Sequence, residues 1–331
     1  MAQSFMWNKI TPTSGHVFVL LLLAFATGTV RADGFPSEPI KIIVPYAVGG
    51  IADVLARLVG ARLEPILKQP VVVENRSGSN GTIAMQFVAQ ARPDGYTLLL
   101  GNLGTQVVNR YLYQNLPFDI KRGFQPIGQI AATPMLLVVA ANSPANSVAD
   151  IIAAGKTQPA PLNFGSGGSG SASHLGLIML STMAKIDIVH IPYRGSSQIV
   201  PDLIGGRLTA YFDTPPTSLS LIAAGKLKPL GVASLVRQPA LPGVPTIAET
   251  IPGFELLSWL GLFAPAGLPV DRLKKLNESL RLVLAEPNFR KQLVDQGNEV
   301  LPNTPQEFSE FIEREAIRIG VLVQTAGIRP E

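Results

Sequence analysis

Short apolar runs alternate with helical patterns in the first part of the chain. Ile40–Val44 is a β-branched run typical of a buried parallel strand, and residues 52–67 after it have helical spacing. A strand at 71–74, a helix near 82–91 and a strand at 96–100 continue the alternation. This β-α-β-α-β order predicts parallel strands with helices on both faces, which is the α/β class.

The alternation resumes after an extended stretch near Met135–Val139 and ends at a second one, residues 256–264. We interpret each stretch as a crossing between two domains, so that the chain returns to its first domain. The predicted boundaries are residues 33–131 with 258–331 for domain 1 and 132–257 for domain 2. Within domain 2, strands are predicted at 162–164, 186–191, 208–212 and 230–233, and helices at 148–154, 173–183, 198–204 and 217–224.

Three glycine-bearing turns follow the strands of domain 1, at residues 44–53, 75–81 and 101–105. In an open sheet, ligands collect beyond the carboxyl ends of the strands, so these turns predict the floor of a cleft. In the first turn, Gly49-Gly50 allows a sharp bend before a helix whose first amides lack partners. These amides and the helix dipole predict a carboxylate or phosphate site. Taken alone, one such turn also fits an ordinary strand-to-helix connection.

Domain 2 has a second turn of this kind, Gly165–His174, again between a strand and a helix. It matches G-x-G-x-x-G, but the dinucleotide interpretation requires an acid at the end of the next strand. Asp187 has the right spacing and stands at the beginning of that strand, which counts against this interpretation. Hydroxyls both donate and accept, so the serines suit a carboxylate better. The candidate ligand contacts in this turn are Ser166, Gly167, Gly168, Ser169, Ser171, Ser173 and His174.

The N-terminal segment predicts export. The apolar run Val17–Ala26 is too short to span a bilayer; Lys9 precedes it and Val30-Arg31-Ala32 resembles a cleavage site. Residues 1–32 are therefore interpreted as a secretory signal peptide, and an exported protein is expected, which would be periplasmic in a two-membraned bacterium. The chain has no cysteine, which excludes a lipid anchor on cysteine and disulfides.

Charge and residue types argue against several other classes of protein. The formal charge is +4, two of which leave with the predicted signal peptide, and the basic residues form no stripe, so no nucleic acid is expected. Only His174 and His190 follow the signal, which makes a zinc site improbable, and no cofactor is expected. No serine of the second turn has the spacing of a nucleophile elbow. His174 is interpreted as a cleft-lining residue at a helix start, and His190 as a core or strand-end residue.

Several further side chains are candidate contacts at strand ends. They are Tyr46 and Ala47 with Gly49 and Gly50 in the first turn, Ala52 and Asp53 at the helix start, Asn102 and Thr105 in the third turn, and Tyr193, Arg194 and Asp213 in domain 2. Asp53 has two open roles: it caps the helix, or it holds a water against the ligand. Arg194 could pair with a carboxylate through two hydrogen bonds, or remain solvated.

The order of motifs closely resembles the Bug family, the TctC-like extracytoplasmic receptors of tripartite tricarboxylate transporters. The resemblance covers essentially the whole predicted mature chain. It rests on Pro39–Tyr46, Gly49-Gly50, Asp53–Arg57, Val73–Arg76, Pro93–Leu99, Phe164–Ser166, Pro192–Gly195, Phe212-Asp213, Leu241–Thr246 and Gly261–Pro265.

The resemblance implies a type II periplasmic-binding-protein fold, with two doubly wound α/β domains joined by two crossing strands around a ligand cleft. It further implies a non-catalytic receptor that binds a small di-, tri- or aromatic carboxylate between the two turns and delivers it to integral membrane transporter subunits. A receptor that signals to a sensor kinase and, as a weaker alternative, an exported hydrolase stay open. A monomer is expected. The chain departs from the family pattern at Ala52, at Thr214 and in the turn at 75–81.

Overall fold

The computed structural model describes residues 1–4, 34–157, 159–193 and 195–325. The predicted signal peptide lies almost wholly outside the described residues, so its interpretation stays a prediction. Within the described ranges, no helix combines the length and the apolar character that a membrane span requires.

Ten strands within the described residues form two five-stranded sheets. They are β1 (Ile40–Val44), β2 (Val71–Asn75), β3 (Thr97–Asn102), β4 (Phe124–Pro134), β5 (Leu136–Ala140), β6 (Leu162–Ser166), β7 (Ile188–Pro192), β8 (Ala210–Asp213), β9 (Leu227–Val232) and β10 (Leu257–Pro265). The first sheet has the order β2-β1-β3-β10-β4, and the second has the order β7-β6-β8-β5-β9.

Each sheet contains one antiparallel strand, and that strand comes directly from a crossing. β10 runs antiparallel to β3 and β4 in the first sheet, and β5 runs antiparallel to β8 and β9 in the second. β1 pairs in parallel with β2 and with β3, as predicted. The predicted α/β fold with two crossings is confirmed, while the residue boundaries of the two domains stay a prediction.

The described residues form ten α-helices, most of which contact a strand of these sheets. They are α1 (Ile51–Leu67), α2 (Thr82–Ala89), α3 (Asn109–Leu112), α4 (Val148–Thr157), α5 (Ala172–Ala184), α6 (Ser196–Ile204), α7 (Pro215–Ala223), α8 (Val270–Ala285), α9 (Pro287–Asp295) and α10 (Pro305–Thr325). A π-helical turn, Gly104–Val108, follows β3 and was not predicted. α8 and α10 contact β4, so the C-terminal helices return to the first sheet as expected.

One buried apolar cluster extends from the first sheet into the second. It includes Leu99 of β3, Trp259 of β10 and Phe212 of β8, all of which are fully buried. A second cluster lies beneath α1 and α8, and a third lies on the other face of the second sheet. Burial of apolar surface stabilises both sheets, and the shared cluster couples them where the chain crosses.

Candidate functional site

Two adjoining cavities lie beyond the carboxyl ends of the strands, between the two sheets. The larger has a volume of about 640 Å3 and is lined by Pro45, Tyr46, Ala47, Ser77, Gly78, Ser79, Asn80, Gly81, Leu112, Tyr113, Gly167, Gly168, Ser169, His174 and Tyr193. The smaller has a volume of about 260 Å3 and is lined by Tyr46, Gly50, Ile51, Ala52, Asn80, Asn102, Leu103, Gly104, Gly167, Gly170, Ser171, Ala172, Ser258 and Leu260. Tyr46, Asn80 and Gly167 line both cavities.

The carboxylate of Asp53 makes its contacts within the first turn and the start of α1. Its Oδ2 accepts the Gly49 amide at 2.9 Å, and its Oδ1 lies 2.9 Å from Nη2 of Arg57. The Arg57 hydrogen bond and the Gly49 amide lower the pKa of this buried carboxyl, against the opposing effect of burial. This geometry favours the capping role of Asp53, and it occupies the amide of Gly49.

The next amides of the first turn remain available. Gly50 precedes α1 in an extended conformation and has no side chain that could cap the first amides of the helix. Ile51 and Ala52 line the smaller cavity, and their amides have no hydrogen-bond partner among the described residues. The first amides of a helix carry its positive dipole end, so they can receive an anion there.

Tyr46 and Asn102 form a braced polar pair in the wall between the cavities. Asn102 Nδ2 donates to the Tyr46 hydroxyl at 2.8 Å, and the Thr105 amide donates to Asn102 Oδ1 at 2.9 Å. Burial raises the pKa of Tyr46 to about 12, against the lowering effect of the Asn102 hydrogen bond. Thr105 is fully buried and lines neither cavity, so its contact with the cleft passes through Asn102.

Serines brace the second turn from within. The Gly167 amide donates to Ser173 Oγ at 3.0 Å, and the Gly168 amide donates to Ser166 Oγ at 3.1 Å. Ser171 caps α5 by accepting the His174 amide at 3.2 Å. Ser166 and Ser173 are buried and line neither cavity.

Three other amides of the second turn make no hydrogen bond within the turn. The amides of Ser169, Ala172 and Ser173 have no partner in the part of the chain that the structure describes. Ala172 lines the smaller cavity and Ser169 lines the larger one. The N-termini of α1 and α5 therefore both reach the smaller cavity, one from each sheet.

The two histidines meet behind this turn, which the sequence did not predict. Their rings stack with centroids 4.1 Å apart, and His190 Nε2 lies 2.5 Å from Ser166 Oγ. Burial lowers the pKa of His174 to about 4, with His190 as the second cause, and burial also lowers the pKa of His190. Ser166 and His190 have the contact of a nucleophile and its base, yet the buried hydroxyl does not reach either cavity.

The remaining predicted residues divide between the cleft and the interior. Tyr193 lines the larger cavity and donates to Asp202 Oδ2 at 2.7 Å, and this hydrogen bond raises the pKa of Tyr193. Asp213 is buried away from both cavities, and its Oδ2 accepts a hydrogen bond from Ser218 Oγ at 2.7 Å. Arg194 lies outside the described residues, so its role stays a prediction.

Several cavity residues were not among the predicted contacts. Asn80 belongs to the turn predicted as cleft floor and has a left-handed backbone, φ 48°. Ser258 and Leu260 come from the second crossing strand, where a serine within an apolar run was the available signal. Tyr113 follows the unpredicted π-helical turn and α3, so no sequence pattern pointed to it.

Gly170 marks the close approach of the two sides of the cleft. Its φ is +78°, and a Cβ there would lie 2.5 Å from Leu112 Cδ1 and 2.8 Å from Asn80 Nδ2. A glycine is therefore required at this contact for two independent reasons, its left-handed backbone and the absence of space.

The sequence profile of the TctC family, the tripartite tricarboxylate transporter family receptor, matches residues 55–328. The chain belongs to this family. Its members are substrate-binding receptors, and the Bug-family resemblance found in the sequence is confirmed.

Solved structures of TctC and Bug proteins have the same fold. R. palustris Rpa4515 with adipate is 36% identical, with a TM-score of 0.83 over 90% of this chain and 100% of that one. The periplasmic binding protein BugD is 33% identical, with a TM-score of 0.80 over 90% and 100% of the two chains. MatC from Rhodopseudomonas palustris with bound malate is 31% identical, with a TM-score of 0.79 over 87% and 100%. The type II periplasmic-binding-protein fold of this TctC-family chain is confirmed.

Proposed function

We propose that this TctC-family chain captures a small carboxylate in its cleft and delivers it to integral membrane transporter subunits. One observation carries the proposal: the uncapped start of α1 and the start of α5 face the same small cavity from opposite sides. Adipate and malate in the related structures support a carboxylate as cargo.

The cargo's carboxylate accepts hydrogen bonds from backbone amides at both helix starts. These are the amides of Ile51 and Ala52 on one side and of Ala172 on the other. Charge-assisted hydrogen bonds contribute about 1.5 to 3 kcal/mol each, so three contribute about 4.5 to 9 kcal/mol. Association costs roughly 4 to 15 kcal/mol, and micromolar affinity corresponds to about 8 kcal/mol. The anion contacts alone therefore do not suffice, and the body of the cargo must bury itself in the larger cavity.

The receptor works in the periplasm as a monomer, after removal of residues 1–32. Cargo that contacts both sides of the cleft stabilises the closed arrangement, which membrane subunits recognise because both domain faces are then in register. A sensor kinase could use the same closure, and a pull-down from membranes with cargo present separates the two partners.

A role in binding rather than in catalysis is supported by the position of Ser166. The alternative, an exported hydrolase, requires this hydroxyl or another nucleophile to reach a substrate, and Ser166 is buried behind the cavity wall. Incubation of the purified chain with carboxylate esters and amides tests this point, and product formation above the buffer rate would favour the hydrolase.

A thermal-shift screen of the chain from residue 33 onward tests the proposed function. The panel contains mono-, di- and tricarboxylates, with sugars and cationic amino acids as controls. Ligand at 100 times its Kd stabilises by about 2.7 kcal/mol, which is a shift of several degrees for a chain of this size. A panel in which only sugars or cationic amino acids raise the melting temperature would contradict a carboxylate cargo.

A further inference from the structure

His174 faces the larger cavity with one ring nitrogen already in use. Its Nδ1 accepts the Gly170 amide at 3.1 Å, within the same turn. A backbone N–H can only donate, so Nδ1 carries no proton and the neutral ring carries its proton on Nε2. The turn itself therefore sets the tautomer of His174.

The ring of His174 is also held in position and kept neutral. It stacks on His190, and Ser166 holds His190 from the far side at 2.5 Å. Ser166 is in turn fixed by the Gly168 amide at 3.1 Å. Partial burial disfavours the charged form of His174, and the His190 ring, stacked 4.1 Å away, disfavours a positive charge there as well.

Nε2 is the polar atom of this ring that remains for a ligand. His174 lines the larger cavity, and its one side-chain hydrogen bond among the described residues is made by Nδ1, not by Nε2. The Tyr193 hydroxyl in the same cavity donates to Asp202, and the Tyr46 hydroxyl, which accepts Asn102 Nδ2, lies 3.1 Å from Asn102 Oδ1 as its own acceptor. His174 thus presents a free, oriented N–H where these neighbouring hydroxyls do not.

We infer that His174 Nε2–H determines specificity by donating to a second acceptor of the cargo, at the end opposite the carboxylate held by α1 and α5. This inference rests on the proposed function and identifies the side chain that selects the cargo. A neutral donor pairs with a carboxylate or carbonyl oxygen and gives no contact to an ammonium or methyl group. The cargo therefore carries a second acceptor, and a dicarboxylate meets this requirement where a simple monocarboxylate does not.

Matched ligand pairs test the inference by calorimetric titration of the full mature chain. Adipate is compared with hexanoate, and succinate with butyrate, because a methyl group replaces one carboxylate at constant carbon number. We expect the wild type to bind at least one dicarboxylate about 10-fold or more tightly than its partner, the value of one charge-assisted hydrogen bond.

Two variants of His174 separate the donor from the support of the turn. His174→Asn keeps an acceptor near Nδ1 for the Gly170 amide and removes the distal N–H, whereas His174→Gln places an amide N–H near Nε2. We expect His174→Asn to lower dicarboxylate affinity about 10- to 100-fold and to change monocarboxylate affinity less than about threefold. His174→Gln should restore most of the dicarboxylate affinity.

The inference is overturned if the wild type binds each dicarboxylate no better than its monocarboxylate partner, a result that needs no variant. It is also overturned if His174→Asn leaves dicarboxylate affinity unchanged, or weakens both members of a pair equally. Failure of the proposed function looks different, because the wild type would then bind no carboxylate in the thermal-shift panel.

Discussion

Several polar side chains of the two turns bind the backbone of their own turn and line neither cavity. Asp53 accepts the Gly49 amide, and Ser173 accepts the Gly167 amide, each from within its own turn. Such contacts satisfy amides that would otherwise be unpaired and hold the remaining ones in place. In the proposed binding mode, recognition at the residue scale depends on a few backbone N–H groups, and His174 is the side chain that adds a specific contact.

The stability of the ligand-free chain should depend on pH through His174. Its pKa is lowered from about 6.5 to about 4 in the folded state, so between these values the unfolded chain binds a proton that the folded chain does not. The free energy of unfolding then falls as pH decreases from about 6.5 to about 4, and it is unaffected above this window.

Melting temperatures of wild type and His174→Gln between pH 7.5 and 4.5 check this expectation. The wild type should lose a few degrees more than the variant on acidification, since 1 kcal/mol corresponds to about 2 to 4 °C in a large domain. Parallel pH profiles for the two proteins would show that His174 does not titrate with a lowered pKa.

At the scale of elements, the repeated strand–turn–helix pattern was predictable because apolar periodicity and glycine positions encode it locally. The turns at 44–53 and 165–174 were located correctly as connections between a strand and a helix. Helix starts were less accurate: α6 begins at Ser196 and α7 at Pro215, two residues before each predicted start. Proline favours the first turn of a helix, and this signal was available for α7.

Contacts set by tertiary pairing were not predictable from local pattern. Ser166 and His190 are 24 residues apart and meet because β6 and β7 pair in parallel in one register. The antiparallel direction of β5 and β10 likewise follows from how the chain crosses between sheets. Nor did the sequence indicate which turn amides are used internally, since this depends on side-chain positions within each turn.

The start of α1 should tolerate proline while losing its anion contact. Ile51→Pro removes one amide, and the extended conformation of Gly50, φ −75° and ψ 166°, is the one that a residue before proline adopts. Loss of one charge-assisted bond should weaken carboxylate binding about 10- to 100-fold, with little change in melting temperature.

Two variants control for side-chain and backbone effects in the same calorimetric titration. Ile51→Ala shortens the side chain and keeps the amide, and Val270→Pro introduces proline at the start of α8, at an exposed residue that lines neither cavity. Both should bind cargo nearly as well as wild type. Equal losses for Ile51→Ala and Ile51→Pro would assign the effect to the side chain.

The contact between the two sides of the cleft should depend on Gly170. Gly170→Ala introduces a Cβ against Leu112 and Asn80, whereas Gly253→Ala meets no atom within 4 Å at nearly the same φ, +79°. Each variant carries the left-handed backbone cost of about 1 to 2 kcal/mol. Gly170→Ala alone should also weaken cargo binding, by about 10-fold or more, because the sides of the cleft can no longer approach. Equal affinities of the two variants would show that this contact is not needed for binding.

At the scale of the whole molecule, the two sheets are joined by segments that also pair with each other. Met135 follows β4, and its amide donates to Leu256 O at 3.0 Å, while the Leu256 amide donates to Ala233 O at 2.9 Å. The crossing is thus a small hydrogen-bonded unit, and an apolar cluster continues through it into both sheets. Movement of one sheet relative to the other must act on β10, which begins there.

Trp259 is placed to report that movement. It is fully buried in β10, its indole N–H has no partner among the described residues, and its ring packs against Phe308 and Phe311 at 5.6 and 5.7 Å. Its chain neighbours Ser258 and Leu260 line the smaller cavity, so we expect a cargo bound there to contact this strand directly. The only other tryptophan in the sequence is Trp7, within the predicted signal peptide.

We expect carboxylate binding to change the intrinsic fluorescence of the mature chain in a saturable manner, with the same Kd as calorimetry. Trp259→Phe should abolish the change and keep cargo affinity within a few fold, because the ring faces α10 rather than the cavities. Sugars that do not stabilise the protein should leave the emission unchanged. Constant emission at cargo concentrations that saturate binding by calorimetry would mean that β10 keeps its environment, and closure would then have to occur without movement of this crossing strand.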